Sequence, residues 1–319
     1  HFDGKFLPQV SARRPLPRLR LALPADLLEG TCSVVSVVAP AGYGKTTLIA
    51  DWLETCDLPS AWVTFDAEVV DLHHFLTYLL PGVAAGLPPS AGEVLQELLA
   101  ARTLPPFAVV AEILRQELAT VEQELVLVLD DFQFVAAPQA HALLAELLRL
   151  PTTPLRLIIA TRHDPPLPLV RLRASGRLVE IRSRDLSFSA AEAEQFLQDS
   201  LDAPLSAAEI DDLVRGAEGW AASLRLAQLY LRQEQGFASL ARALEVGARH
   251  AREFLADEVF AGLPPAIQTF LMETAILERL SARVCAALSD GGDVAAAQAN
   301  LLWLVANGVF TSPIDDAQE

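Results

Sequence analysis

Residues 33–53 constrain this chain more than any other stretch. Seven residues rich in valine, SVVSVVA at 33–39, lead into Pro40, Ala41, Gly42, Tyr43, Gly44, Lys45, Thr46 and Thr47. A helical pattern then runs through Leu48, Ile49, Trp52 and Leu53. A short β-branched run bounded by turn residues reads as a strand buried on both faces. Residues 39–46 match the phosphate-binding pattern G-x-x-x-x-G-K-[ST] at every position but the first, where Ala39 replaces glycine. The chemistry accounts for the residue types. Gly42 and Gly44 let the backbone turn tightly, so that successive N–H groups converge on phosphate oxygens. The following helix adds the positive end of its dipole. Lys45 reaches the β- and γ-phosphates, and Thr46 offers a hydroxyl to Mg²⁺. The alternative is a chance glycine turn before a helix.

Further strands are expected at 61–66 (AWVTFD), at 125–129 (LVLVL) ending in Asp130 and Asp131, at 155–160 (LRLIIA) ending in Thr161 and Arg162, and at 178–181. Two or three amphipathic helices fill 72–121, with ends expected at Pro81 and at Pro105-Pro106. Another lies at 141–150. Alternating strands and helices imply right-handed crossovers and a mainly parallel sheet with helices on both faces. From Ser189 onward the strand signal stops. Ser189 with Glu192, and Ser206 with Glu209, have capping-box spacing and mark two helix starts. Helical patterns continue at 224–231 and 251–260 and restart at Pro264-Pro265, where proline suits a first turn. The last stretch, 270–310, mixes short helices with Gly291-Gly292 and Gly308. Val309, Phe310 and Thr311 follow, a pattern compatible with a small helical domain carrying a β-wing.

A hydrophobic strand that ends in an acid supplies the other half of a phosphate site, since Asp130 can hold Mg²⁺ at the sheet's C-terminal edge. Asp131 is placed to orient or deprotonate a water, or else to cap the next helix. Arg162, on the same edge, is suited to contact a γ-phosphate, or else to form a structural ion pair. His163 and Asp164 read as loop, and His73, His74 and His141 as ordinary helix residues.

Charge narrows the partners. The net charge of −17 opposes wrapping of nucleic acid, which requires a basic face. The arginines at 13–20 and 171–184 read as solvated surface or internal contacts. Lysine occurs only at Lys5 and Lys45, which makes the second position informative. Cys32, Cys56 and Cys285 are far apart and have no metal-ligand spacing, as expected of reduced thiols in the cytoplasm. No apolar run is long enough to span a membrane and no secretory signal is expected.

Five segments in order, VAPAGYGKTT at 38–47, LVLDDF at 127–132, IATRHDPPLPL at 159–169, LSFSAAEAEQFL at 186–197 and EGWAASL at 218–224, closely resemble the nucleotide-binding core of STAND signalling ATPases. The branch they resemble is the large ATP-binding LuxR-type transcription regulators. The resemblance runs from about residue 15 to 316. It implies an α/β P-loop NTPase domain at 31–188 with a mainly parallel sheet, an all-α helical domain at 189–255 and a winged-helix domain at 256–319. An N-terminal arm at 1–30 would close over the nucleotide. It further implies that Lys45 and Thr46 bind phosphate and Mg²⁺, that Asp130 supports Mg²⁺, that Asp131 aids hydrolysis and that Arg162 senses the γ-phosphate. Arg18 and Leu19 resemble the segment that covers adenine. Such proteins rest with ADP and self-associate when ATP-bound. In them an inducer is read by a sensor and DNA by an effector, both expected outside these 319 residues.

Two departures stand out: Ala39 in the loop, and Gly219-Trp220-Ala221 where relatives carry Gly-x-Pro. Trp220 is therefore either an adenine contact or a core residue. The rival to a regulatory switch with slow hydrolysis is a conventional catalytic P-loop ATPase or kinase. A kinase would need an acceptor pocket with its own base, for which the sequence offers no candidate.

Overall fold

The computed structural model describes residues 19–66, 69–85, 97, 99–100, 104–119, 124–149, 154–198, 206–233, 260, 263–277, 279–289 and 292–306. The chain divides into two compact units. One comprises His1–Ala39 with Gly44–Leu186, and the other Pro40–Tyr43 with Ser187–Glu319.

The first unit is built on five parallel strands, β1 (Val34–Val38), β2 (Ser60–Thr64), β3 (Leu125–Asp130), β4 (Leu155–Thr161) and β5 (Leu178–Arg182), in the order β2-β3-β4-β1-β5. All five expected strands are present. β1, β3 and β4 are buried along their whole length, which is why they read as continuous apolar runs rather than alternating ones. Helices α1 (Lys45–Glu54), α2 (Leu72–Ala85), α3 (Phe107–Ala119), α4 (Pro138–Arg149) and α5 (Leu169–Ala174) follow the strands. Single turns occupy Leu19–Leu21, Ala25–Leu28 and Ser183–Leu186. One strand face, carrying Leu125, Leu127, Leu129, Leu155, Leu157 and Ile159, shares a core with Phe75, Leu76, Leu79 and Leu80 of α2, Val110 and Leu114 of α3, and Leu143, Leu144 and Leu147 of α4.

Proline at 81 does not end its helix. α2 passes through it to Ala85. The ring sits on the exposed side, while Leu79, Leu80 and Val83 around it are buried. Apolar burial at roughly 2 kcal/mol per large side chain outweighs the roughly 3 kcal/mol that an interior proline costs. Pro105-Pro106 behaves as expected. It precedes α3, and the Pro106 carbonyl accepts from the amides of Val109 and Val110.

Within the second unit, α6 (Ala190–Gln198), α7 (Ala207–Ala217) and α8 (Ala221–Gln233) pack around Ala193, Leu197, Ile210, Leu213 and Leu224. Both capping boxes form. The Ser189 amide donates to Glu192 Oε2 at 3.0 Å, and Ser206 and Glu209 exchange reciprocal bonds. A separate cluster of α9 (Pro265–Thr274), α10 (Ala282–Leu288) and α11 (Val294–Ala306) centres on Phe270, Cys285 and Leu304, with proline in the first turn of α9. No strand occurs among the described residues after β5. The wing expected at 309–311 and the helix expected through most of 251–260 fall outside the described residues.

Because Pro81 interrupts a helix while its ring is exposed, Pro81→Ala restores a backbone donor without opening a cavity. We expect a gain on the order of 1–2 kcal/mol, net of the unfolded-state entropy that proline removes. A thermal melt showing no gain or a loss would refute this account of α2.

Candidate nucleotide site

The C-terminal edge of the sheet gathers the chemistry. β1 runs out into the loop, and Ala39 continues the strand geometry, its amide donating to the Thr161 carbonyl at 3.2 Å. Ala39 is not among the described residues with positive φ. Alanine is therefore acceptable where the pattern has glycine. Gly42 and Gly44 are different, with φ of 79° and 80°, a region in which a Cβ is strained. Gly44 is the N-cap of α1, and its carbonyl accepts from the Leu48 amide at 2.9 Å.

Lys45 opens α1 and is buried, at 7% exposure. Its Nζ donates to the Ala39 carbonyl at 2.8 Å. Burial pulls its ammonium down to about 8, against the opposing pull of Asp131 and Asp130 and with a further push from Arg162. Thr46 Oγ1 donates to Asp130, 3.0 Å from Oδ2 and 3.3 Å from Oδ1. Burial, with the charge of Asp131 beside it, pushes the Asp130 carboxyl up to about 6, although Thr46 and the Asp131 amide hydrogen-bond it and Lys45 attracts it. A hydroxyl and a carboxylate in contact are hard oxygen donors of the kind Mg²⁺ takes, so these two side chains fit the metal. No group of three or more His, Cys, Asp or Glu side chains placed to hold a metal occurs among the described residues.

Asp131 adopts a left-handed conformation, φ 53° and ψ 39°, at the start of a 3-10 turn that its side chain does not cap. The carboxylate instead accepts from Gln133 Nε2 at 2.8 Å. Gln133 in turn accepts from the Arg162 amide at 3.2 Å. One glutamine thus links Asp131 at the end of β3 to Arg162 at the end of β4. The Arg162 guanidinium lies 6.0 Å from the centre of the Phe134 ring. Gln133 is invisible as a site residue in the sequence, because no motif marks an amide two places after an acid. Thr161, beside Arg162 at the end of β4, has a buried hydroxyl without a hydrogen-bond partner.

Arg18 lies outside the described residues. Leu19 begins a 3-10 turn, and two residues on the Leu21 carbonyl accepts from Trp52 Nε1 of α1 at 2.5 Å. The turn is further tied by Arg20, which donates to the Asp185 carbonyl at 2.7 Å. Pro40, Ala41, Gly42 and Tyr43 belong to the second unit. There Trp220 Nε1 donates to the Ala41 carbonyl at 3.1 Å, and the Ala222 amide donates to the Gly42 carbonyl at 3.0 Å. Trp220 is thus buried against the loop backbone. The arginines after 171 are largely internal contacts. Arg173 and Arg182 pair with Glu180, Arg182 also pairs with Asp164, and Arg177 donates to Ser33 Oγ. His141 faces the Val135 carbonyl at 2.7 Å, and the three cysteines are free.

Asp130→Asn should stabilise the nucleotide-free protein. Asn keeps an oxygen for the Asp131 amide and exchanges hydrogen bonds with Thr46, while removing a buried charge. The folded carboxyl ionises near 6 against an ordinary 3.8, so the burden of its charge develops as pH rises through that interval. The gain, on the order of 2 kcal/mol, should be complete above pH 6 and absent below about pH 4. A denaturant titration at pH 8 showing a loss would overturn this.

Comparison with known proteins agrees with the fold. Residues 14–160 match the AAA ATPase domain family, and residues 256–319 match the MalT winged helix domain family. The chain is 29% identical over 290 residues to the HTH-type transcriptional regulator MalT of Cronobacter sakazakii, covering 89% of this chain and 31% of that protein. It thus spans about a third of that relative's length. Among solved structures, the Walker-type ATPase of Pyrococcus abyssi superposes with a TM-score of 0.58 at 16% identity, over 93% of this chain and 91% of that one. No helix among the described residues is long and apolar enough to cross a membrane. The chain is thus similar to an AAA ATPase domain over 14–160 and to a MalT winged helix domain over 256–319, on a P-loop fold with a parallel sheet.

Proposed function

We propose that this chain binds ATP and ADP with Mg²⁺ on the loop 39–47, hydrolyses ATP slowly, and acts as the nucleotide-dependent switch of a transcription regulator that self-associates when ATP is bound. The observation that carries this reading is the meeting of a buried lysine, a threonine hydroxyl and a buried carboxylate at one edge of a parallel sheet. On this reading Lys45 neutralises phosphate charge, and the backbone amides of Pro40 to Thr47, proline excepted, surround the phosphate oxygens. Thr46 and Asp130 would hold Mg²⁺, which when bound supplies positive charge to the phosphate oxygens. Asp131, steadied by Gln133, orients the attacking water, and Arg162 reads the γ-phosphate. Arg18 and Leu19 cover adenine.

The likeness to a transcriptional regulator supports a regulatory output over a metabolic one. We assign the nucleotide domain to 31–188, the helical domain to 189–255 and the winged helix to 256–319, with 1–30 as the arm. Inducer recognition and DNA binding belong, on this reading, to regions of a longer regulator beyond these 319 residues, and the protein works in the cytoplasm.

The first test is to denature freshly purified protein and identify the released nucleotide by chromatography. ADP near one equivalent is expected; an empty protein that turns over ATP rapidly only with an added acceptor would favour a kinase. Lys45→Ala should lower ADP affinity by roughly 100-fold, the order of a lost charge-assisted contact, and unchanged affinity would remove the loop from the site. Asp131→Asn should leave ADP affinity within about threefold and slow hydrolysis by about 100-fold. A single-turnover rate equal to wild type would take Asp131 out of the mechanism.

A further inference from the structure

The tip of the glycine loop is held from one side by two residues far along the chain, Trp220 and Ala222. α7 ends in two left-handed residues, Glu218 at φ 50° and Gly219 at φ 69°. Gly219 has no room for a side chain, since a Cβ would lie 2.8 Å from the Phe188 carbonyl oxygen. That tight reversal delivers Trp220 to the start of α8, where its carbonyl accepts from the Leu224 amide at 3.1 Å. The Trp220 side chain turns onto the loop. A Cβ on Gly42 would lie 2.7 Å from Trp220 Cζ2 and 2.8 Å from Nε1. Glycine at 42 therefore serves two ends, the positive φ and the space for the indole.

Two successive loop carbonyls are pinned by this arrangement. Trp220 Nε1 donates to the Ala41 carbonyl, and the Ala222 amide, one of the first-turn donors of α8 that no helical carbonyl satisfies, donates to the Gly42 carbonyl. In a trans peptide the N–H points opposite to the C=O of the same plane. Pinning the Ala41 and Gly42 carbonyls toward Trp220 and Ala222 therefore turns the amides of Gly42 and Tyr43 the other way. Those are two of the amides that a phosphate cradle uses.

We propose that Trp220 is a positioning residue for the phosphate-binding loop, fixing the peptide planes of 41–43 and with them the affinity for the phosphate part of the nucleotide. This rests on the nucleotide reading of the loop above. It differs from an adenine contact in what the indole N–H does, which is to bond the loop backbone.

Two variants separate the donors. Trp220→Phe keeps an aromatic ring and deletes the N–H. Ala222→Pro deletes the other donor at a first-turn position that tolerates proline. Binding is read on the 319-residue chain by displacement of a fluorescent ADP analogue with ADP and with inorganic pyrophosphate. Each variant should weaken both ligands by the same factor, about threefold to tenfold for one hydrogen bond, with thermal unfolding showing a folded protein. In chain labelled with 5-fluorotryptophan, the ¹⁹F resonance missing from Trp220→Phe identifies Trp220, and pyrophosphate alone should shift it. If ADP binding weakens while pyrophosphate binding does not, Trp220 contacts the base and the proposal falls. If both variants bind both ligands like wild type, it falls while the nucleotide reading stands. Should Trp220→Phe fail to fold, Ala222→Pro decides. If the wild-type chain binds neither ligand, the nucleotide reading fails and this inference with it.

Discussion

A lysine ammonium taken almost wholly out of water sets the terms for the first unit. Burial alone drives Lys45 toward losing its proton, and the chain answers with an acceptor 2.8 Å away, the Ala39 carbonyl, and with two carboxylates at the end of β3. Asp130 has the complementary problem, a buried negative charge next to another, and is answered by Thr46 and by the Asp131 amide. Neither charge is comfortable alone. The contacts that answer them run from the end of β1 and the start of α1 to the end of β3, and they tie these three segments together. The sheet order provides the geometry. β4 lies between β1 and β3, so the strand that ends in Thr161 and Arg162 is inserted between the two that end in the loop and in Asp130. Asp130, Thr161 and Arg162 are thereby brought to one edge without a long loop having to carry them there.

Much of this is legible in the sequence because it is local. Strands buried on both faces write themselves as LVLVL and LRLIIA, capping boxes as Ser-x-x-Glu, and the loop as glycines before Lys45. What is not legible is what distance decides. Pro81 reads as a helix end, and only burial of its neighbours in the core formed with α3 and α4 shows why the helix passes through it. Ala39 reads as a defect in the motif. Its φ is not positive, so the position does not require glycine. Gln133 carries no sequence signal, yet it joins Asp131 to Arg162 through one amide group. Trp220 is ambiguous in the sequence because its hydrogen-bond partner is 179 residues away, and no spacing rule reaches that far.

The charge balance adds a kinetic consequence to the proposed switch. A body carrying −17 does not steer an anionic nucleotide inward, and the arginines of the β5 edge are engaged with Glu180 and Asp164. On the proposed reading attraction comes at short range, from Lys45, Arg162, the oriented amides and the start of α1, all effective over only a few ångströms. Screening cuts off anything beyond about 8 Å at physiological salt. A site of this kind gains affinity by delaying departure rather than by hastening arrival. Slow departure is what a switch requires, since the bound nucleotide must persist long enough to be read. On that argument the acidic surface and the buried lysine are parts of one design: the surface contributes nothing to capture, and the interior holds what has been captured.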